Sequence, residues 1–189
     1  SGTTGKPKGT LISHNGAVNM ALGMNLEFEF KNSSEVLLQF ASLAFDASIL
    51  EILTSLLNGH TLVIVPEEKR LNPDSVTQIM NEFKVTWAVL PPVFVNELNP
   101  EKLVTLKSLK TAGEEATWEI VDKWKNHLSY ANGYGPTEAT VWSTTWFENR
   151  EKLHKKIPIG RPAPNVRCII FQKEKVCGFG MVGELCISG

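Results

Sequence analysis

The sequence predicts an α/β fold of mostly parallel sheets covered by helices, followed by the start of a β-rich subdomain. Short apolar runs alternate with stretches of helical periodicity between residues 35 and 134, which is the pattern of successive βα units. From about Ile157 the chain becomes rich in proline and glycine, and its apolar residues alternate with polar ones. We therefore place a partial α/β core in residues 1–156 and the start of a β-rich subdomain in residues 157–189.

The composition is that of an ordinary globular chain. Of its 189 residues, 42% are hydrophobic and 21% are charged, and the formal net charge is -1. A nearly neutral chain has no general attraction for nucleic acid or anionic membranes, and its apolar runs are shorter than the roughly 18 to 20 residues of a membrane span. We therefore expect a cytoplasmic protein without nucleic-acid or membrane partners. The spacing of Cys168, Cys177 and Cys186 fits no metal site and predicts buried or idle thiols in a reducing compartment.

The first elements are predicted from periodicity and capping residues. TLISH is interpreted as a short strand, and the helix after it begins at His14 or Asn15 and ends near Leu26. EVLLQF predicts a buried strand, and DASILEILTSLLNGH predicts a helix that ends at Gly59. These segments form the first two βα steps of the predicted sheet.

The remaining elements follow the same alternation. TLVIV predicts a strand, and Asn72 followed by proline predicts the N-cap of a helix to about Phe83. TWAVLPP and SLKTAG predict strands, ATWEIVDKWK a helix, and SYANGYG a strand that ends in glycine and proline. In the C-terminal part, VRCIIFQ and ELCIS predict strands on either side of the turn-like CGFGMVG.

The opening residues SGTTGKPKG are rich in groups that bind phosphate. Glycine N–H groups, hydroxyls and lysine ammonium groups can surround an anion. A Walker A loop is excluded, because the glycine spacing is too short and Pro7 disfavours the helix that such a loop must enter. The alternative is an ordinary solvated turn. The candidate phosphate ligands are Ser1, Gly2, Thr3, Thr4, Gly5, Lys6, Lys8 and Gly9.

Asp46, in the sequence FDAS, has two interpretations. It precedes a predicted helix, where aspartate is a common N-cap, and in isolation this interpretation is favoured. The functional interpretation is a carboxylate at the rim of a pocket, placed to pair with the ammonium group of a ligand. The sequence alone leaves both interpretations open.

The motif NGYGPTE follows a predicted strand at the edge where open α/β sheets bind their ligands. Tyr134 offers a flat face for a base and Asn132 an amide that can bind an adenine edge. Thr137 offers a hydroxyl for phosphate, and Glu138 offers oxygen ligands for Mg²⁺. The alternative is a Gly-Pro turn with incidental polar residues. AGEE, at residues 112–115, places Gly113 at the end of another strand.

The order and spacing of SGTTGKPKG, FDAS, NGYGPTE and GELCISG closely resemble the adenylation domains of nonribosomal peptide synthetases. These domains belong to the adenylate-forming, AMP-binding superfamily. The aspartate of FDAS points to the amino-acid-activating branch, because acyl-CoA and aryl-acid relatives bind no ammonium group and typically lack it. The resemblance implies that the chain is an internal fragment of the large N-terminal domain, with the mobile C-terminal domain outside it.

The resemblance implies a reaction in two steps. An amino acid and ATP, with Mg²⁺, give an aminoacyl adenylate and pyrophosphate, and the phosphopantetheine thiol of a carrier protein then takes the acyl group. The implied partners are this carrier domain and a condensation domain in the same parent chain, while the isolated fragment is expected to be inactive. One alternative is an acyl- or aryl-CoA ligase of the superfamily, and another is a non-catalytic module that binds nucleotide or scaffolds a carrier protein.

The resemblance also implies residue roles. Residues 1–9 would hold the β- and γ-phosphates, and Asn132 and Tyr134 the adenine. Thr137 and Glu138 are the implied catalytic residues, which contact the α-phosphate and Mg²⁺ respectively.

The implied substrate site begins at Asp46, which would bind the α-ammonium group with help from the Gly135 carbonyl. Gly133 leaves space in the side-chain pocket and Trp142 occupies space, which suits a non-acidic or modestly sized apolar substrate. If Lys110 points inward, it favours a polar or acidic substrate instead, and the sequence does not decide between them. The implied pocket positions are Ala47, Leu50, Val89, Lys110, Ala112, Gly113, Gly133, Val141 and Trp142.

Overall fold

The protein is described here by a computed structural model of residues 9–28, 30, 34–148 and 155–189. Most of the predicted phosphate-binding loop, residues 1–8, lies outside the described residues, and Gly9 is exposed. Within the described residues, no helix is both long and apolar enough to cross a membrane. The three cysteines are unpaired, as the sequence predicted.

The larger sheet contains both parallel and antiparallel strands. Its strands are β1 (Val36–Gln39), β2 (Thr61–Ile64), β3 (Trp87–Leu90), β4 (Ser108–Thr111), β5 (Ser129–Tyr134), β6 (Thr144–Phe147) and β7 (Arg161–Pro162). The spatial order is β2-β1-β3-β4-β5-β6-β7. The first five strands pair in parallel, and β6 and β7 pair antiparallel at one end. The predicted mostly parallel sheet is therefore confirmed.

Helices cover both faces of this sheet. They are α1 (His14–Glu27), α2 (Ala47–Leu57), α3 (Pro73–Glu82), α4 (Pro92–Glu97) and α5 (Trp118–Trp124). Single 3₁₀ turns occur at Glu67–Lys69, Pro100–Lys102 and Thr137–Ala139. Helices α1 and α2 pack on one face, where Met20, Met24 and Leu50 meet Leu37 and Val89. Helices α3, α4 and α5 pack on the other face in a larger apolar cluster.

The strand order creates a topological switch point between β1 and β3. The chain leaves β1 through α2 to reach β2 on one side, and then returns through α3 to β3 on the other side. Ligands of open α/β sheets bind outside the carboxyl ends of the strands at such a point. The segment that follows β1 contains Asp46, so the topology places this residue at the expected ligand edge.

The N-terminal strand prediction is wrong. The residues TLISH form no strand, because Leu11 is fully exposed and no neighbouring strand within the described residues pairs with them. Ser13 is instead the N-cap of α1, since its hydroxyl accepts a hydrogen bond from the Gly16 N–H at 3.1 Å. The cap predicted for α3 is confirmed, because the Asn72 side chain accepts from the Ser75 N–H at 2.9 Å.

The C-terminal residues form a separate antiparallel sheet. It contains β8 (Arg167–Gln172), β9 (Lys175–Val176) and β10 (Glu184–Ser188), in the order β10-β8-β9. The change in sequence composition near Ile157 therefore precedes the second sheet by several residues, because β7 still pairs with β6 of the first sheet. The predicted β-rich character of the C-terminal part is confirmed.

A pair of glycine substitutions tests the junction between β6 and β7. Gly160 has φ +89°, and a Cβ there would lie 1.9 Å from the Thr145 carbonyl oxygen, whereas Gly59 has φ +73° and open space. Alanine at either position costs about 1–2 kcal/mol for the left-handed backbone. We expect Gly160→Ala to lower the free energy of unfolding further, as measured by urea unfolding. Equal losses in Gly160→Ala and Gly59→Ala would contradict this packing.

Candidate functional site

Asp46 and Thr137 meet at the carboxyl edge of the larger sheet. The Asp46 carboxylate accepts a hydrogen bond from the Thr137 hydroxyl, which lies 91 residues further along the chain. Asp46 has helical backbone angles and its side chain makes no capping hydrogen bond. Asp46 therefore occupies the N-cap position of α2, but its carboxylate accepts no capping hydrogen bond and instead faces the segment after β5.

A buried carboxylate holds the segment that leads to Asp46. Glu51, in α2, accepts hydrogen bonds from the N–H groups of Phe40 and Ala41 at 3.1 Å and from the Gln39 side-chain amide at 3.2 Å. Burial raises the pKa of Glu51 to about 7, although these three donors favour the ionised form. Sequence reasoning missed Glu51, and its signal was one acidic residue in the apolar run SILEILTSLL.

The segment between β5 and β6 has a strained backbone. Thr140 has φ 60° and Val141 has φ 70°, values that are unfavourable for β-branched residues and that cluster at functional sites. The backbone of Gly135 packs against Val141 so closely that a Cβ on Gly135 would lie 2.3 Å from the Val141 carbonyl oxygen. A hydrogen bond of 2.9 Å from the Ser143 N–H to the Tyr134 carbonyl closes the segment. Glycine at position 135 is therefore required by packing.

The predicted adenine ligands differ in how accessible they are. Tyr134 is 39% exposed, so its ring is available at the edge of the sheet. Asn132 is buried, and its amide donates to the Pro158 carbonyl at 3.1 Å and accepts from the Thr111 hydroxyl at 3.2 Å. A nucleotide contact by Asn132 would therefore exchange one of these internal hydrogen bonds.

The start of α1 lies against the segment between β5 and β6. A Cβ on Gly16, in the first turn of α1, would lie 2.9 Å from the Thr140 hydroxyl oxygen. Beside this contact, both elements line a cavity of about 550 Å³, and Ser13, Asn19 and Glu138 are among its lining residues. The chain that enters α1 therefore passes close to Glu138, which is exposed.

Most of the predicted pocket positions are brought together. Leu50, Val89 and Trp142 are buried in one apolar cluster, and Ala112 and Val141 pack against it. Ala47 begins the helix that contributes Leu50 to this cluster. Gly113 is different, because it is exposed beyond the end of β4 and a Cβ there would contact nothing within 4 Å.

Lys110 is buried, but its ammonium group points towards the amino end of β4. It donates a hydrogen bond to the Ser108 hydroxyl and lies 4.1 Å from the Phe28 ring centroid and 5.6 Å from that of Trp87. Burial lowers the pKa of Lys110 to about 7, and the nearby carboxyl of Glu27 opposes this shift. Burial also raises the pKa of Glu27, against a hydrogen bond from Thr145 and the charge of Lys110.

The whole chain matches one known protein family. The description of the matching family is AMP-binding enzyme, and the match covers residues 1–189. The chain belongs to this family. The hydrogen-bonded pair of Asp46 and Thr137, with Glu138 next in the chain, is the candidate site at the carboxyl edge of the sheet.

Curated peptide synthetases are similar to this AMP-binding chain along its whole length. Gramicidin S synthase 1 of Brevibacillus brevis is 38% identical over 195 residues, and tyrocidine synthase 1 of Brevibacillus parabrevis is 36% identical over 191 residues. In both cases all of this chain is covered, but only 17% and 18% of the relative. The chain thus spans less than a fifth of the length of these relatives.

Solved structures share the fold. The nonribosomal peptide synthetase FmoA3, bound to α-methyl-L-serine-AMP, matches 97% of this chain and 22% of its own, with a TM-score of 0.88 and 25% identity. The N-terminal subdomain of Klebsiella oxytoca NpsA, in complex with 3-hydroxybenzoyl-AMSN, matches 100% of this chain and 50% of its own. Its TM-score is 0.83 and its identity is 27%.

The Glu51 interaction makes a prediction about pH. The folded protein holds the Glu51 proton up to about pH 7, whereas the ordinary pKa is 4.5. The contribution of this bound proton to the free energy of unfolding is therefore complete below about pH 4.5 and is lost as the pH rises through about 7. In urea unfolding, the wild type should lose roughly 3 kcal/mol relative to Glu51→Gln between about pH 4.5 and pH 8. A difference that does not change with pH would contradict the raised pKa.

Proposed function

We propose that this chain is part of an amino-acid-activating adenylation domain of a nonribosomal peptide synthetase. The observation that carries the proposal is the position of the Asp46 carboxylate, which accepts no capping hydrogen bond and lies beside the Thr137 hydroxyl. An anionic group and a hydroxyl donor at the switch point suit a ligand that has both an ammonium group and a phosphate. An aminoacyl adenylate has both groups.

The chemistry requires positioning more than proton transfer. The carboxylate of the amino acid attacks the α-phosphorus of ATP, a new P–O bond forms, and the bond to the bridging oxygen breaks as pyrophosphate leaves. The attacking carboxylate is already ionised at neutral pH, so no general base is needed. Asp46 orients the substrate through its ammonium group, and Thr137 donates to an α-phosphate oxygen. The hydrogen bond between Asp46 and Thr137 is exchanged for these ligand contacts.

The phosphate loop is proposed to reach this site through α1. Residues 1–9 lead into a helix whose first turn contacts Thr140, three residues after Thr137. Three glycines, three hydroxyls and two lysines in this loop can donate to the β- and γ-phosphates. Leu11, Ile12 and Ser13, which follow the loop, line the same cavity as Glu138.

The nucleotide and metal contacts complete the proposed site. The exposed Tyr134 ring offers a stacking face for adenine, and Asn132 offers a hydrogen-bonding edge. Mg²⁺ commonly binds through one or two carboxylates, substrate phosphates and water, and Glu138 is an exposed carboxylate beside the proposed phosphate site. Glu138 would hold the metal, which supplies neutralisation of phosphate charge.

The second step and its partners follow from the same proposal. The phosphopantetheine thiol of a carrier domain attacks the acyl carbon of the adenylate, forming a thioester and releasing AMP. A structure of NpsA fused to ThdA is described as an adenylation-PCP di-domain, and it matches this chain at 27% identity. We propose a carrier domain and a condensation domain as partners in the parent chain, and the cytoplasm as its location.

The second candidate is an aryl-acid or acyl-CoA ligase of the same family. The NpsA complex with 3-hydroxybenzoyl-AMSN favours it, because this chain covers half of that structure at 27% identity. An aryl acid without an amino group leaves the Asp46 carboxylate without a counterion. A non-catalytic nucleotide-binding or scaffolding module is the third candidate.

Asp46→Ala tests the ammonium contact in the full-length protein. We expect KM for the amino acid to rise at least about 30-fold in ATP–pyrophosphate exchange, because truncating one partner of a charge pair costs about 2–5 kcal/mol. ATP affinity, measured by calorimetry, should change little. The matched control is Asp74→Ala, since Asp74 is an exposed carboxylate at the start of α3. Unchanged KM in Asp46→Ala would contradict the contact.

Glu138→Gln tests the proposed metal ligand. The variant should need a higher Mg²⁺ concentration for half-maximal exchange, because a neutral amide binds Mg²⁺ more weakly than a carboxylate does. The measurement is a Mg²⁺ titration of the exchange rate at saturating ATP and substrate. Glu119→Gln, on α5 and outside the site, is the control. An identical Mg²⁺ dependence in Glu138→Gln and wild type would exclude Glu138 as a ligand.

A further inference from the structure

We infer that the activated amino acid has a small, uncharged side chain, and that Trp142 sets the size limit. The inference rests on the proposed function and answers a question that the sequence left open, namely whether Trp142 or Lys110 determines the substrate. Three features of the pocket carry the inference. They are the position of Trp142, the direction of Lys110 and the apolar nature of the other walls.

The face of the larger sheet that α1 and α2 cover, which we call the pocket face, has three rows of side chains. Strand alternation and the parallel register place them in order from the amino edge to the carboxyl edge. The rows are Trp87, Ser108 and Ser129, then Val89, Lys110 and Ala131, then Gly133 and its partner Thr145, with Ala112 directly after the end of β4. Asp46 lies at the carboxyl edge, so a bound amino acid meets the third row first.

Trp142 covers this third row. A Cβ on Gly133 would lie 2.0 Å from Cη2 and 2.2 Å from Cζ2 of Trp142, so the six-membered ring rests directly on the glycine. The indole N–H donates to the Thr145 hydroxyl at 2.8 Å, and the ring packs edge-on against Phe28. Because the indole N–H and the ring are both held, the ring is a fixed wall over Gly133.

Lys110 does not supply a charge to this space. Its ammonium group extends past its own row to the Ser108 hydroxyl, at the amino edge of the face. There it lies over the Phe28 ring, and Glu27 compensates its charge. If Asp46 binds the α-ammonium group of an acidic amino acid, the side-chain carboxylate of that substrate would have to pass Trp142 to reach the Lys110 ammonium group. Lys110 therefore has a structural role at the amino edge of the sheet and is not a ligand for an acidic substrate.

The other pocket positions are apolar, and the Thr145 hydroxyl on this face already accepts the hydrogen bond from the Trp142 indole N–H. Leu50, Val89 and Trp142 belong to one buried apolar cluster, with Ala112 and Val141 packed against it. An acidic or basic side chain in such surroundings would lose its hydration without gaining a partner. Small, uncharged side chains avoid both this desolvation and the Trp142 ring.

The test is ATP–pyrophosphate exchange by the full-length protein with glycine, alanine, serine, leucine, phenylalanine, aspartate and glutamate. We expect kcat/KM for the best of the first three to exceed that for each of the other four by at least about tenfold. In Trp142→Ala, the ratio of leucine to alanine should rise by about tenfold or more. Trp142→Leu is a second variant if the alanine variant does not fold. The matched control is Trp118→Ala, because Trp118 packs on the other face and should leave this ratio unchanged.

The outcomes separate the inference from the proposed function. Preference of the wild type for leucine or phenylalanine, or an unchanged ratio in both Trp142 variants, would overturn the size limit. Preference for aspartate or glutamate that is lost in Lys110→Met would overturn the assignment of Lys110, while amino-acid activation would stand. Exchange with aryl or fatty acids only, or with no carboxylic acid at all, would overturn the proposed function itself and the inference with it.

Discussion

The carboxylate of Glu51 is the interaction on which the candidate site depends. It gathers the N–H groups of Phe40 and Ala41 and the amide of Gln39 at the end of β1, and it does so from within α2. Buried N–H groups without partners are costly, so this one side chain satisfies the backbone where the chain leaves the sheet. It also joins the end of β1 to the helix that carries Asp46. The position of Asp46 relative to the sheet is therefore set by a buried polar contact.

The opposite wall of the site is held by backbone packing. Gly135 packs against Val141, and the unfavourable positive φ angles of Thr140 and Val141 persist because the surrounding hydrogen bonds fix this segment. The segment carries Thr137, Glu138 and Trp142, and the last two line the cavity beside α1. The result is a rigid frame in which the hydrogen bond between Asp46 and Thr137 is the part that a ligand can exchange.

Sequence reasoning succeeded where local chemistry decides the structure. The alternation of apolar runs and helical periods predicted the parallel sheet, and Asn72 before proline predicted the start of α3. It failed where the outcome depends on distant neighbours. TLISH has strand-like residues but no neighbouring strand among the described residues, and the hydrogen-bond partner of Asp46, which decides where its carboxylate points, lies 91 residues away. The direction of Lys110 depends on Ser108, Phe28 and Glu27, which periodicity does not reveal.

The central claim is that Asp46 binds the ammonium group of an amino acid that is joined to AMP. The most direct measurement is calorimetry of the full-length protein with a non-hydrolysable aminoacyl adenylate analogue and with the same analogue lacking its α-amino group. We predict that loss of the amino group weakens binding at least about 30-fold in the wild type, and only a few-fold in Asp46→Ala, because the charge pair is already absent there. Equal weakening in both proteins would contradict the claim.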